Sequence, residues 1–280
     1  MLSRRTALAG LATTTALLPT KPSQAEGANF ADLLSIALSH PNIMTSSLAG
    51  REGPAVEFDV FAVRVVAPRY KPSSVKVSND TLRMIIASEV SSQVRYEARY
   101  QQPLWPGGQS GVTVGVGYDV GYSTPDWLQE DWGGILPATD LALLKTACKI
   151  TGTSANAMLK SVAALRIGWA DAYKQFITTA LPRWTAETVG NLPNAEKLPP
   201  DCLGALVSLD YNRGPAWKLT DDRHREMRAI RLHMVNEEYT LIPAEIRSMT
   251  RLWIGEPALQ GLVIRRNLEA ALFEKGLKAA

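Results

Sequence analysis

The chain has 280 residues, 46% of them hydrophobic, with 30 lysines and arginines against 27 aspartates and glutamates and a formal charge of +3. Residues 1–25 hold Arg4, Arg5 and Lys21 and no acid, so the remainder balances 27 bases against 27 acids. That balance offers no basic face for nucleic acid. With two cysteines, three scattered histidines and no Cys-x-x-Cys pair, neither a metal centre nor a cofactor is expected.

The first segment, MLSRRTALAGLATTTALLPTKPSQA, places a twin-arginine pair before a modestly apolar stretch and a small-residue cleavage point. It reads as a twin-arginine export signal, which implies a periplasmic or secreted protein. Its apolar run is too short to span a bilayer, and no later segment is long and apolar enough. Residues 26–78 form an N-terminal extension of uncertain structure: FADLLSIALS suits a short helix, and AVEFDVFAVRVVAP looks extended.

From residue 79 to 280 the text is mainly helical. Ser78, Asn79 and Asp80 offer capping side chains, and Leu82, Ile85, Ile86 and Glu89 follow at i, i+3, i+4 and i+7. A loop rich in proline and glycine leads to SGVTVGVGYD, residues 110–119. TPDWLQEDW then starts a helix with Thr124 as cap and Pro125 at the first helical position. ATDLALLKTACKI, SANAMLKSVAALRI, WADAYKQFITTAL, DCLGALVSLDYNRG, DRHREMRAIRLHMV, IPAEIRSMTRLW and LQGLVIRRNLEAALFEKG continue the helical series. The layout is α+β, with one small β element inserted early. Cys148 and Cys202 stand as a disulfide pair or as two free thiols.

Two features carry chemistry. Strand alternation puts Val112, Val114 and Val116 on one face of the β segment and Thr113, Gly115, Gly117 and Asp119 on the other. A straight strand would hold Thr113 and Asp119 about 20 Å apart. They share a site only if the chain bends, which Gly115 and Gly117 permit; the alternative is a tight turn whose glycines are purely conformational. The second feature is Glu89, an acid on an apolar stripe. Burial without a partner raises a carboxyl pKa and suits it to donate a proton. The competing reading is a structural Glu89 paired with an arginine, for instance one from the C-terminal helix. Two carboxylates flanking a cleft are what glycosidic hydrolysis uses, one donating a proton and the other activating water or attacking the sugar.

A helical glutamate, a TxGxG β-turn, then GALVSLDYNRG and GLVIRRNLEAALF, in that order, resemble the phage-type lysozymes (muramidases). The resemblance spans roughly Asp80 to Gly276. It implies a lysozyme-like fold, mainly helical with a small β-hairpin near the active site. It departs from many members at Ala98, where an Asp or Cys is usual, and at Tyr118, where a His is usual. In the pesticin-like branch the site is a glutamate, a threonine and an aspartate, the last two spaced like Thr113 and Asp119. The resemblance thus implies Glu89 as general acid, with Asp119 and Thr113 positioning water. It further implies that Gly115, Gly117, Tyr118, Asn212 and Arg265 serve substrate binding, and that Arg265 and Arg266 reach the glutamate or a substrate carboxylate. For Arg265 and Arg266 a surface pair is the plain alternative, and for Asn212 a helix C-terminal position. Trp105, Trp127 and Trp132 stack on sugars or belong to the core, and Glu97 is a reserve for the second carboxylate. The implied partner is the peptidoglycan glycan strand, cut between N-acetylmuramic acid and N-acetylglucosamine. A lytic transglycosylase and a non-catalytic wall-binding module with the same fold are the alternatives.

Overall fold

The computed structural model describes residues 29–40, 43, 69–108 and 110–280. The leader and AVEFDVFAVRVVAP lie outside the described residues. The described part is helix-rich α+β with one two-stranded antiparallel sheet. In chain order the helices are α1 (Phe30–Ser39), α2 (Asn79–Val90), α3 (Gln93–Arg99), α4 (Pro125–Trp132), α5 (Ala138–Lys145), α6 (Gly152–Val162) and α7 (Trp169–Gln175). They continue as α8 (Leu181–Asn191), α9 (Pro200–Arg213), α10 (Arg225–Asn236), α11 (Ile242–Ser248) and α12 (Gln260–Ala279). The sheet, β1 (Thr113–Val114) and β2 (Tyr118–Asp119), falls between α3 and α4. Among the described residues no helix is long and apolar enough to cross a membrane.

Local signals set the helix ends. The Ser78 hydroxyl accepts from the Thr81 amide at 3.1 Å, and the Thr124 hydroxyl accepts from the Trp127 amide at 3.2 Å. Each satisfies an amide that helix geometry leaves without a partner. Helix α2 stops at Ser91, whose φ of 64° is left-handed. Two helices fall outside the sequence expectation. Helix α3 is a single short run behind a Ser92 cap. Helix α8 begins at Leu181-Pro182 directly behind helical residues, so Pro182 has no amide to continue the ladder after the Leu181 amide donates to the Phe176 carbonyl. The chain passes from α7 into α8 through one widened turn, Phe176–Ala180.

Helix α9 is the axis of the molecule. Every residue from Cys202 to Arg213 is buried, as expected of a helix surrounded by others. It packs most extensively on α12 and also receives α2 and α8. Gly204 lets α2 come close: a Cβ there would sit 1.7 Å from Thr81 Oγ1. This close approach rotates α2 from the stripe expected of it. Thr81, Met84, Ile85, Ser88 and Glu89 are buried, whereas Leu82 and Ile86 are half-buried. Small side chains at 81 and 88 fit where two backbones nearly touch. Helix α1 docks on α12 and α2 through Phe30, Leu34 and Ala37. Residues 69–78 run extended along α8: the Ser73 amide donates to the Pro182 carbonyl at 2.9 Å, and the Tyr70 ring fills the space beside Gly190.

Candidate active site

One wall of the site is helical. Glu89 lies one residue before the end of α2, and its side chain is 2% exposed. It is not buried alone. Arg265 of α12 donates from Nη1 to Glu89 Oε1 at 2.7 Å. The same guanidinium donates to Glu269 Oε1 at 3.2 Å, and to the Ser208 carbonyl and hydroxyl at 3.0 and 3.2 Å. Glu269 Oε1 also accepts from Ser208 Oγ at 2.7 Å and from Arg266 at 2.8 Å, and Arg266 reaches Asn212 Oδ1 at 3.2 Å. Two acids and two guanidiniums therefore compensate one another in the buried core, as buried ions require. Burial pushes the Arg266 pKa down to about 10, because the cation has lost its water.

These facts correct three expectations. The unpartnered buried acid is replaced by an ion-paired one, the arrangement held open as its competitor. Arg265 and Arg266 are fully buried rather than a surface pair, and Arg265 reaches the Glu89 carboxylate, one of the two contacts the resemblance implies for it. Asn212 is also buried, at 6% exposure, and its amide oxygen serves Arg266.

The other wall is the hairpin. Thr113 pairs with Asp119 and Val114 with Tyr118. The three residues between the strands carry positive φ at Gly115 (60°) and Gly117 (75°), a conformation an L side chain resists. The chain thus folds back and sets Asp119 directly opposite Thr113. The shared glycine face does not survive the fold. A Cβ on Gly115 would lie 2.9 Å from the Trp132 ring, whereas one on Gly117 would lie 2.9 Å from Glu89 Oε2. Two-residue strands are too short to carry alternation through the turn, so the two glycines serve different contacts. All three valines, 112, 114 and 116, are buried. The Tyr211 hydroxyl from α9 donates to the Val116 carbonyl and ties the turn to the axis helix.

Asp119 is held by backbone. Its carboxylate accepts from the Gly111 amide at 3.1 Å and from the Gly121 amide at 2.9 Å, capping the turn Val120–Tyr122. Thr113 donates from Oγ1 to the Gly111 carbonyl at 3.3 Å, and its backbone pairs with Leu104 from the preceding loop. Tyr118 points elsewhere. Its hydroxyl donates to Asp131 at 2.8 Å and meets Ser123 Oγ at 3.0 Å, and its ring stands edge-on to Trp132. Through these contacts Tyr118, which is half-buried, supports the hairpin. Trp132 is core; Trp127 lies half-buried under Arg69; Trp105 is half-buried with its indole N–H donating to the Ser110 carbonyl. Glu97 is exposed on α3, where it accepts from Gln93 at 2.8 Å.

Glu89 and the hairpin therefore meet at Gly117. The exposed side of that meeting point is the hairpin, where Gly117 and Asp119 are half-buried and Glu89 is not. Sequence reasoning passed over Glu269 and Tyr211. Glu269 stood in the quoted run RRNLEAALF three residues past Arg266, a helical spacing that pairs opposite charges. Tyr211 carried no signal of its own beyond its place in DYNRG. Among the described residues no group of three or more His, Cys, Asp or Glu is placed to hold a metal ion. Cys148 and Cys202 are free thiols. No protein-family model matches the chain, and no curated protein matches its sequence.

Proposed function

We propose that the protein is a muramidase of lysozyme-like fold that hydrolyses the glycan strand of peptidoglycan, acting outside the cytoplasm after twin-arginine export. The observation that carries the reading is the meeting of Glu89, from α2, with a hairpin that bears a glycine against its carboxylate and an aspartate two residues further on. A glycine at 117 is what a site needs where an oxygen of the substrate must come within hydrogen-bond reach of an acid. In this mechanism Glu89 protonates the glycosidic oxygen while Arg265 holds the other carboxylate oxygen in place. Asp119 and Thr113, adjacent across the hairpin, hold and activate the attacking water. The two backbone amides that fasten Asp119 leave its carboxylate in one orientation, so no side-chain rearrangement precedes the step.

Digestion of purified peptidoglycan with mass analysis of the fragments tests this. Wild type should release reducing ends, and Glu89→Gln should lose about 10²–10⁴-fold in rate, the typical contribution of a general acid. Full activity of Glu89→Gln in a folded protein would end the reading.

The hold on Asp119 also favours a second reading. A carboxylate that caps a turn has a structural reason to exist, and a lytic transglycosylase needs the glutamate alone. In that case the fragments carry anhydro ends, and Asp119→Asn cuts as fast as wild type.

A further inference from the structure

Behind the hairpin lies a second buried polar cluster, which the proposed chemistry leaves unused. Its centre is Asp131 of α4, 2% exposed. One carboxylate oxygen accepts from the Arg69 guanidinium and, at 2.8 Å, from the Tyr118 hydroxyl; the other accepts from Arg183 at 2.7 Å. Arg69 also donates to the Trp127 carbonyl at 3.2 Å and lies 5.0 Å over the Trp127 ring, while Arg183 donates to the Tyr70 carbonyl at 2.8 Å. Glu130, at the exposed rim, adds contacts of 3.5 and 3.7 Å to the two guanidiniums. Four stretches of chain, residues 69–70, β2, α4 and α8, are thereby joined at one carboxylate. Burial pushes the Arg69 pKa down to about 10, so this cation has given up water and depends on its protein partners.

Tyr118 links this cluster to the site. It sits in β2 between Gly117, which faces Glu89, and Asp119, which faces Thr113. Alternation turns its ring to the opposite side of the strand, toward Trp132 and Asp131. Anchoring that hydroxyl therefore fixes how far β2 can slide or tilt. A two-residue strand has too few ladder bonds to fix its own register.

We infer that Arg69 is a positioning residue of this site: through Asp131 and Tyr118 it holds β2 so that Gly117 lies against Glu89 and Asp119 stays opposite Thr113. Residues 69–78 then belong to the working unit and not to a detachable extension. The consequence for rate rests on the muramidase reading; the hold on the hairpin does not.

The test measures two things on the full chain, amide hydrogen exchange by mass spectrometry and kcat with KM on soluble glycan fragments. Arg69→Ala should raise exchange across residues 111–121 while α9 and α12 keep their protection. It should lower kcat by roughly 10²-fold, the scale of a displacement of about 1 Å at a reacting group, with KM nearly unchanged. Arg69→Lys, which keeps the charge without the fork, should recover part of both. Tyr118→Phe leaves both ion pairs intact and cuts only the link to β2, so it serves if Arg69→Ala does not fold, and it should show the same two changes. Unchanged exchange over 111–121 in Tyr118→Phe, or a rise in KM with kcat constant, overturns the inference. If wild type cleaves no glycan, the muramidase reading fails and the exchange measurement alone decides this one.

Discussion

The two walls of the site are held by different chemistry. On the helical side, Glu89 is fixed by a side chain, the Arg265 guanidinium, within a buried network. On the hairpin side, Asp119 is fixed by main chain, the amides of Gly111 and Gly121. A side-chain hold fails when one residue changes, because it leaves a charge buried without its partner. A backbone hold survives any substitution that keeps an acceptor oxygen, and fails when the turn itself is disturbed. The helical wall is therefore the more brittle in stability, and the hairpin in geometry.

The sharpest way to break this comparison is Arg265→Ala. It strands Glu89 in the core, leaves Glu269 with Arg266 as its one guanidinium partner, and should cost about 3–5 kcal/mol, read as a lower urea midpoint at unchanged slope. A loss no larger than that of an exposed substitution would show that the ion pairs do not seat the helical wall. Next comes Gly117→Ala. Its left-handed φ costs roughly 1–2 kcal/mol in an L residue, and the new methyl presses on Glu89 Oε2. Both stability and glycan cleavage should fall. Gly115→Ala carries the same backbone cost but presses on Trp132, and should spare more of the activity.

Asp119 sharpens the contrast further. Asp119→Ala removes a turn cap and should cost about 0.5–2 kcal/mol, as helix caps do. Asp119→Asn keeps an acceptor and should melt close to wild type, so a large fall in rate would be chemical and not structural. Equal melting and equal rate in Asp119→Asn would favour the transglycosylase.

The smallest effects are read by the thiols, one near each wall. Cys202 of α9 donates to the Phe273 carbonyl, is fully buried, and has its pKa pushed up to about 12 by burial. Cys148 is half-buried, and burial raises its pKa, offset in part by Lys145 and Lys149. Because only the thiolate reacts, both should be sluggish at neutral pH and faster as pH rises toward their raised values. Cys148 should react with a disulfide reagent in the folded protein, and Cys202 only on unfolding. Arg69→Ala should speed Cys148 and leave Cys202 unchanged.

Much of the helical framework was legible because its signals are local. Ser78 and Thr124 announce their helices by hydrogen-bonding three residues ahead. The apolar run from Cys202 to Leu209, uninterrupted by a polar face save Ser208, marks a helix buried on all sides. The glycines at 115 and 117 showed that the chain is permitted to bend there, and both adopt positive φ. Helix α8 was illegible because its proline reads as a break, whereas the widened turn Phe176–Ala180 carries the chain from α7 into α8 without one. The partners of Tyr118, Asp131 and Trp132, were not legible because alternation gives the face of a strand but not what lies beyond it.

By itself the sequence determined most of the helical series and its capped starts at Ser78 and Thr124, that glycines permit a bend within residues 110–119, and that an acid lies on an apolar helical stripe. Each is set by contacts within a few residues, where chain geometry leaves few choices. Only the tertiary structure decided which partner that acid takes. Glu89 and Arg265 are 176 residues apart, and Arg69 meets Asp131 across 62. At such distances along the chain, packing around α9 selects the pairs, and no local rule of spacing contains that choice.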